Sequence, residues 1–253
     1  MESIPAMDIS PIVFLSENEL KQEEKEEIEN VVIDMNDISV KDNDYLLVGI
    51  FGNGTGYLKA TFSEEMKGKG AYKAKFMYQG KDKMKKKVIS AELYQIETNS
   101  KKVLILLTKS GYIGENDYYL IEYFEKNKIS YKEIIIFDSI YSKNYFSIKD
   151  IQNKTFCIKS RKCSLSTSAE PLSQPNSIGS FAASLMNYAD YHDMSCLILI
   201  SVIEYYDICY DSTKMYNASV SSIDILKGKN ENFSSDKNFL FNEFNAIKNS
   251  YFS

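Results

Sequence analysis

Tryptophan is absent from this chain, histidine occurs once, and proline and cysteine occur four times each in 253 residues. Each scarcity closes off a class of explanation. A single histidine, His192, leaves no histidine cluster for a metal, and any histidine-dependent general base would have to be this residue. Its setting, Tyr191-His192-Asp193-Met194, lies between a helical pattern and an apolar run, away from the C-terminal strand ends where α/β folds gather ligands. No catalytic role is expected for it. The cysteines Cys157, Cys163, Cys196 and Cys209 have the spacing of neither a zinc knuckle nor a redox pair. Cys196 and Cys209 sit in or beside apolar sequence and read as small core residues. Neither a metal nor a cofactor is expected. With so little proline and only 11 glycines, no linker-like segment divides the chain, and one globular domain is the default.

Long apolar runs and excess positive charge are also missing. The longest strongly apolar run, residues 196–203, falls well short of the ~20 residues that span a bilayer. Residues 1–15 lack a positive start, and their apolar stretch, 12–15, is too short for a signal peptide. A net charge of −5 argues against a general nucleic-acid binder, because counterion release needs clustered positive surface. The expected compartment is the cytoplasm, with the nucleus as a second, and neither membrane nor nucleic acid is an expected partner.

What charge there is comes in blocks. Residues 16–30 hold seven glutamates against Lys21 and Lys25, the composition of a solvated helix or a disordered arm. Residues 1–44 are therefore set apart as an acidic, partly disordered arm, and 45–253 as a single α/β domain. Residues 67–87 carry nine lysines interleaved with Tyr72, Phe76 and Tyr78. That pattern suits a single-strand binding loop or a nuclear-localisation patch, or else a solvated, hairpin-like insertion, bounded here at 64–87.

The domain's element signals follow in order. Residues 45–51 (YLLVGIF) are a first central strand, and Gly52-Asn53-Gly54-Thr55-Gly56 is a tight turn before a helical pattern through Phe62. A strand, a glycine turn and a helix resemble a phosphate cradle, but the spacing fits neither the dinucleotide fingerprint nor a P-loop. Strands are expected at 88–94, 103–108 and 133–138. A helix is expected at 118–127, with Leu120, Ile121 and Phe124 on its apolar side. Strand, helix, strand implies a crossover and an α/β layered fold. Residues 139–174 read as polar and irregular, with 164–168 the most loop-like. Ile178, Phe181, Ala182, Leu185 and Ala189 mark a core-facing helix over 177–189, with Asn176 or Ser177 as its cap. A buried strand at 195–203 follows, then helical patterns at 213–226 and 236–248.

These residues resemble a known family. Leu172-Ser173-Gln174-Pro175-Asn176, then Ala182-Ala183-Ser184-Leu185, Asn187-Tyr188 and the strand from Cys196, are similar to the L-x-Q-P-N, A-A-x-L, S-Y and I-L-Y-L series of the proteasome assembly chaperone family, subunit 1. Residues 45–62, with Gly52-Asn53, are similar to that family's strand, turn and helix. The resemblance implies a layered mixed sheet flanked by helices, with a nucleoside-phosphorylase-like topology but not that enzyme's activity. It implies as partners a paralogous subunit 2 and the proteasome α-subunits. Leu172, Gln174, Pro175 and Asn176 would be its structural motif. The family's tails end in a hydrophobic residue, a tyrosine and any last residue, and this chain ends Tyr251, Phe252, Ser253. The resemblance therefore implies a docking tail, residues 250–253, whose carboxylate and ring are captured between α-subunits. The other reading is a nucleotide-binding or phosphorylase-like enzyme, for which Glu204, Asp207 and Asp211 near the end of strand 195–203 would be the carboxylates.

Overall fold

The computed structural model describes residues 33–34, 42–50, 52–67, 72–77, 88–108, 117–146, 154–203 and 214–229. Their apolar runs build the middle of one nine-stranded sheet. β2 (Asp42–Gly49), β5 (Lys101–Thr108), β6 (Ser130–Tyr141) and β9 (Ser195–Ile203) form its parallel centre in the order β5-β2-β6-β9. Strands covered on both faces need continuous rather than alternating apolar sequence, and residues 46–48, 104–107, 134–137 and 196–200 are all buried. The first strand begins at Asp42, earlier than its apolar run, because Asp42 and Asn43 already pair in register with Ser130 and Tyr131.

Antiparallel strands flank this centre. β3 (Tyr72–Met77), inside the lysine-rich stretch, pairs antiparallel with β4 (Val88–Thr98) just after it, and β4 pairs with β5 from Ala91 to Thr98. Asn99 and Ser100, at φ 49 and 58, make the two-residue turn whose left-handed residues match the twist of the strands. β1 (Ile33–Asp34) closes this edge beside β3. At the far edge, β7 (Thr155–Lys159) runs antiparallel to β9, and β8 (Glu170–Pro171) lies outside it. The stretch expected to be irregular thus contains two strands and the end of β6. Five residues with three apolar side chains give too short a pattern to read, yet Phe156 enters the core on one face and Cys157 on the other.

Helices cover both faces. α3 (Asp117–Lys126) and α4 (Ser180–Tyr191) bury Leu120, Ile121, Phe124, Phe181, Ala182, Leu185 and Ala189 against Leu46, Ile134, Ile136 and Ile198. Outside, Glu122 and Lys126 pair at 2.7 Å. α4 ends where Asp193 takes φ 53 and the Met194 N–H donates to the Ala189 carbonyl at 2.8 Å, a left-handed cap without glycine. On the other face, α1 (Asn53–Thr61), α2 (Ser63–Met66) and residues 214–229 enclose Leu47, Ile105, Phe137 and Leu199. The helix expected at 213–226 is only a 3-10 turn, Lys214–Tyr216, then α5 (Asn217–Val220) and further turns. Hydroxyls of Thr155, Thr167 and Ser168 donate to the carbonyls of Met215, Ser219 and Ala218, taking acceptors a longer helix would use. The helix expected at 236–248, the arm before Ile33 and most of the lysine-rich stretch lie outside the described residues.

Candidate interaction site and the C-terminal edge of the sheet

From β2 the chain passes outward to β5 and then back across to β6, so the strand order reverses at β2. In open α/β sheets such a reversal leaves a crevice beyond the strand ends where ligands bind. At this reversal the start of α1 packs closely on β6. Gly52, at φ 108, turns β2 into α1, and the Ile50 N–H donates to the Phe137 carbonyl at 2.9 Å. Gly54 lies so close to β6 that a Cβ would stand 2.0 Å from the Phe137 carbonyl oxygen. The glycine run is therefore not a turn ahead of the helix: α1 starts at Asn53. Gly54 is needed for close backbone approach and only Gly52, within that run, for its dihedral.

Polar side chains tie this edge together. The Thr55 hydroxyl lies 2.9 Å from the Gly49 carbonyl and 3.1 Å from that of Thr108. Asn53 Nδ2 donates to Ser201 Oγ at 3.3 Å, the hydroxyls of Ser201 and Tyr216 are 2.9 Å apart, and the Tyr216 hydroxyl donates to the Asp138 carbonyl. The rings of Tyr57, Phe137 and Tyr216 pack with centroids 4.9 to 5.3 Å apart. Asp138 is buried, and its Oδ1 accepts the Ser139 N–H at 2.7 Å. Burial pushes its carboxyl up to about 6, against the pull of that hydrogen bond. Strand alternation sets Asp138 with Ile134 and Ile136 on the α3/α4 face and Ser201 with Leu197 and Leu199 on the other, so the sheet lies between acid and hydroxyl. The arrangement braces elements and aligns no nucleophile with a base. Glu204, Asp207, Asp211 and Cys209 lie outside the described residues.

A second polar device sits in the loop before α4. Leu172 donates its N–H to the Cys157 carbonyl at 2.9 Å and packs, half-buried, on the α3/α4 core. Gln174 and Pro175 are exposed and joined by a cis peptide. Asn176 does not cap α4, whose N-cap is Gly179 with no side-chain hydrogen bond. Its Oδ1 instead accepts the Phe146 N–H at 2.7 Å, while Nδ2 donates to the carbonyls of Phe146 and Ser173, each at 2.9 Å. The capping expectation fails because the amide finds both backbone groups of one distant residue. Phe146, held in this way, is 67% exposed and lines a cleft of about 270 Å³ with Tyr141, Asn144, Pro175 and Ser177 among others. The sequence gives no periodic signal for Phe146.

His192 lies at the C-terminus of α4, exposed, 3.7 Å from Glu125 and flanked by Tyr188 and Tyr191. Tyr191 is 84% exposed. Among the described residues no three of His, Cys, Asp and Glu are grouped to hold a metal ion, and no helix is long and apolar enough to cross a membrane. Tyr251, Phe252 and Ser253 lie outside the described residues.

No family model matches the chain, and no curated protein matches it. Solved structures do. Pyrococcus furiosus PbaB, an archaeal proteasome activator, matches with a TM-score of 0.53 at 12% identity, over 88% of this chain and 98% of that one. A protein of unknown function from Corynebacterium glutamicum matches with a TM-score of 0.50 at 10% identity, over 88% of this chain and 96% of that one. Pyrococcus furiosus PbaA, an archaeal homologue of proteasome-assembly chaperone, gives 0.46 at 10% identity, over 83% and 90%. In fold, the chain is similar to an archaeal proteasome activator along almost the whole of that protein.

Proposed function

We propose that this chain is a non-catalytic chaperone for assembly of the proteasome core particle. It pairs with a paralogous subunit 2, the heterodimer binds the α-ring, and the tail Tyr251, Phe252, Ser253 inserts between α-subunits. The topology is of the nucleoside-phosphorylase-like kind, and the protein works in the cytoplasm and the nucleus. The observation that carries this reading is the fold held in common with a proteasome activator over 98% of that protein's length. Residues 172–176, which resemble the motif of proteasome assembly chaperone subunit 1, support it independently.

The test is reconstitution from purified components. The chain, the paralogue and isolated α-rings are combined and resolved by size-exclusion chromatography with light scattering. A heterodimer that co-migrates with α-rings is expected. Phe252→Ala should weaken α-ring binding by removing the ring that fills the pocket. Phe252→Tyr should maintain or tighten it, because an added hydrogen bond is worth about 0.5–1.5 kcal/mol. A chain that stays monomeric beside the paralogue and ignores α-rings overturns the proposal.

A further inference from the structure

Of the thirty cationic residues in the chain only Arg161 is an arginine, and it stands three positions before an exposed serine. Arg161-Lys162-Cys163-Ser164-Leu165 sets two cations and an apolar residue around Ser164 in the spacing that basophilic protein kinases select. The grooves of such enzymes offer carboxylates to the arginine, whose planar fork suits them better than an ammonium does. Between β7 and β8, residues 160–169 form neither helix nor strand, so no ladder has to break for the segment to be drawn into an extended form. Arg161, Lys162 and Ser164 are all exposed. The Arg161 side chain is 73% exposed even while its guanidinium donates to the Asp190 carbonyl at 2.8 Å.

Ser164 also holds this loop to the sheet. Its hydroxyl donates to Glu133 Oε1 at 2.8 Å and its N–H to Ser195 Oγ at 3.3 Å, on two residues that are register partners in β6 and β9. Glu133 has acidic company: after burial, it and then Asp224 and Asp44 push the Tyr45 hydroxyl up to about 12. The same loop ties down residues 214–229. Thr167 and Ser168 donate to the Ser219 and Ala218 carbonyls at 2.7 and 3.0 Å, and the Ser222 hydroxyl donates to the Ser166 carbonyl at 2.7 Å.

We propose that Ser164 is a phosphorylation site for a basophilic protein kinase, and that its phosphate releases the 160–169 loop and loosens residues 214–229. In the transfer, Ser164 Oγ bonds to the γ-phosphorus of ATP, the bond from that phosphorus to the departing ADP oxygen breaks, and the serine proton passes to the kinase's carboxylate base. The phosphoserine carries a charge of about −1.5 to −2 at pH 7, so beside Glu133 it replaces a hydrogen bond with repulsion.

The full chain is incubated with Mg-ATP and the catalytic subunit of cyclic-AMP-dependent protein kinase, the basophilic probe, and sites are read by mass spectrometry. Phosphate is expected at Ser164, and Ser164→Ala should remove it. Lys162→Ala should slow incorporation roughly two- to fivefold by deleting one exposed ion pair with the kinase. Full incorporation in Ser164→Ala would overturn the proposal. So would labelling of heat-unfolded but not native protein, because the fold would then withhold the serine. Amide exchange in the phosphorylated chain should quicken about tenfold at residues 164–168 and 216–226 and stay unchanged in β5. Glu133→Gln keeps an oxygen for Ser164 and removes the charge, so phosphorylation should quicken its exchange far less. Lys159 Nζ, which donates to the Leu165 carbonyl at 2.8 Å, is the nearby cation that could capture the phosphate instead. Unchanged or slowed exchange on phosphorylation overturns the release, and equal quickening in Glu133→Gln overturns its cause.

Discussion

Asn176 grips the backbone of Phe146 at both its N–H and its C=O, doing for a loop what a neighbouring strand does for a sheet. Asn176→Ala removes these bonds and that to Ser173, and should lower unfolding free energy by about 1–2 kcal/mol. Urea titration measures the loss, and amide exchange should quicken at Phe146 and not in β9. Asp138 works against the fold at neutral pH. Its folded pKa near 6 lies above the ordinary 3.8, so the folded state holds the proton more tightly than the unfolded one. Its contribution to stability therefore falls as pH rises from about 4 to about 6 and stays low above that. Asp138→Asn keeps an oxygen for the Ser139 N–H and removes the buried charge. The variant should gain up to about 3 kcal/mol over the wild type at pH 7 and nothing below about pH 4. Parallel stability profiles for the two proteins would refute this. Neither residue announced its use. The sequence marks Asn176 as part of a motif, but its partner stands thirty positions upstream, and such a pairing leaves no periodic trace.

At the scale of elements, legibility followed how much of an element's pattern its own core contact determines. β9 runs from Ser195 to Ile203, the bounds expected for it, because residues 196–203 are all buried. α3 and α4 were legible as stripes, but α4 begins at Ser180, three residues late, since Asn176 is committed elsewhere. β7 escaped notice because five residues cannot establish a period. These local causes can be tested by glycine substitutions. Gly54→Ala places a methyl 2.0 Å from a carbonyl oxygen of β6, and neither backbone can retreat without opening the sheet. A loss of about 3 kcal/mol or more, or failure to fold, is expected in thermal melts. Gly179 is open around its Cβ position and caps α4 with no side chain. Gly179→Ser should supply the missing acceptor and stabilise by about 0.5–1 kcal/mol. A destabilised Gly179→Ser would show that the loop before α4 needs glycine for another reason.

Over the whole molecule, residues 214–229 act as a strap that completes the second core, and the chain continues from there towards its proposed docking tail. Its own Tyr216, Val220, Ile223, Ile225 and Leu226 are buried in that core, and Lys229 at its end pairs with Glu65 and lies 5.4 Å from the centre of the Phe62 ring. Fold and client binding should then separate along the C-terminal part of the chain. Tyr216→Ala leaves a cavity among Tyr57 and Phe137 and strips Ser201 of a partner, so a loss of about 3–5 kcal/mol is expected. Deleting Tyr251, Phe252 and Ser253 removes residues beyond the strap and should leave the melting temperature and paralogue pairing unchanged while weakening α-ring binding. Adding one residue after Ser253 should weaken it too, because the carboxylate is displaced with every side chain retained. Thermal melts and α-ring binding, measured on the same preparations, distinguish the two outcomes. If the tail deletion lowers the melting temperature as far as Tyr216→Ala does, the last residues belong to the fold, and the tail is no independent docking element. If it changes neither stability nor α-ring binding, any contact with the α-ring runs through the body of the heterodimer.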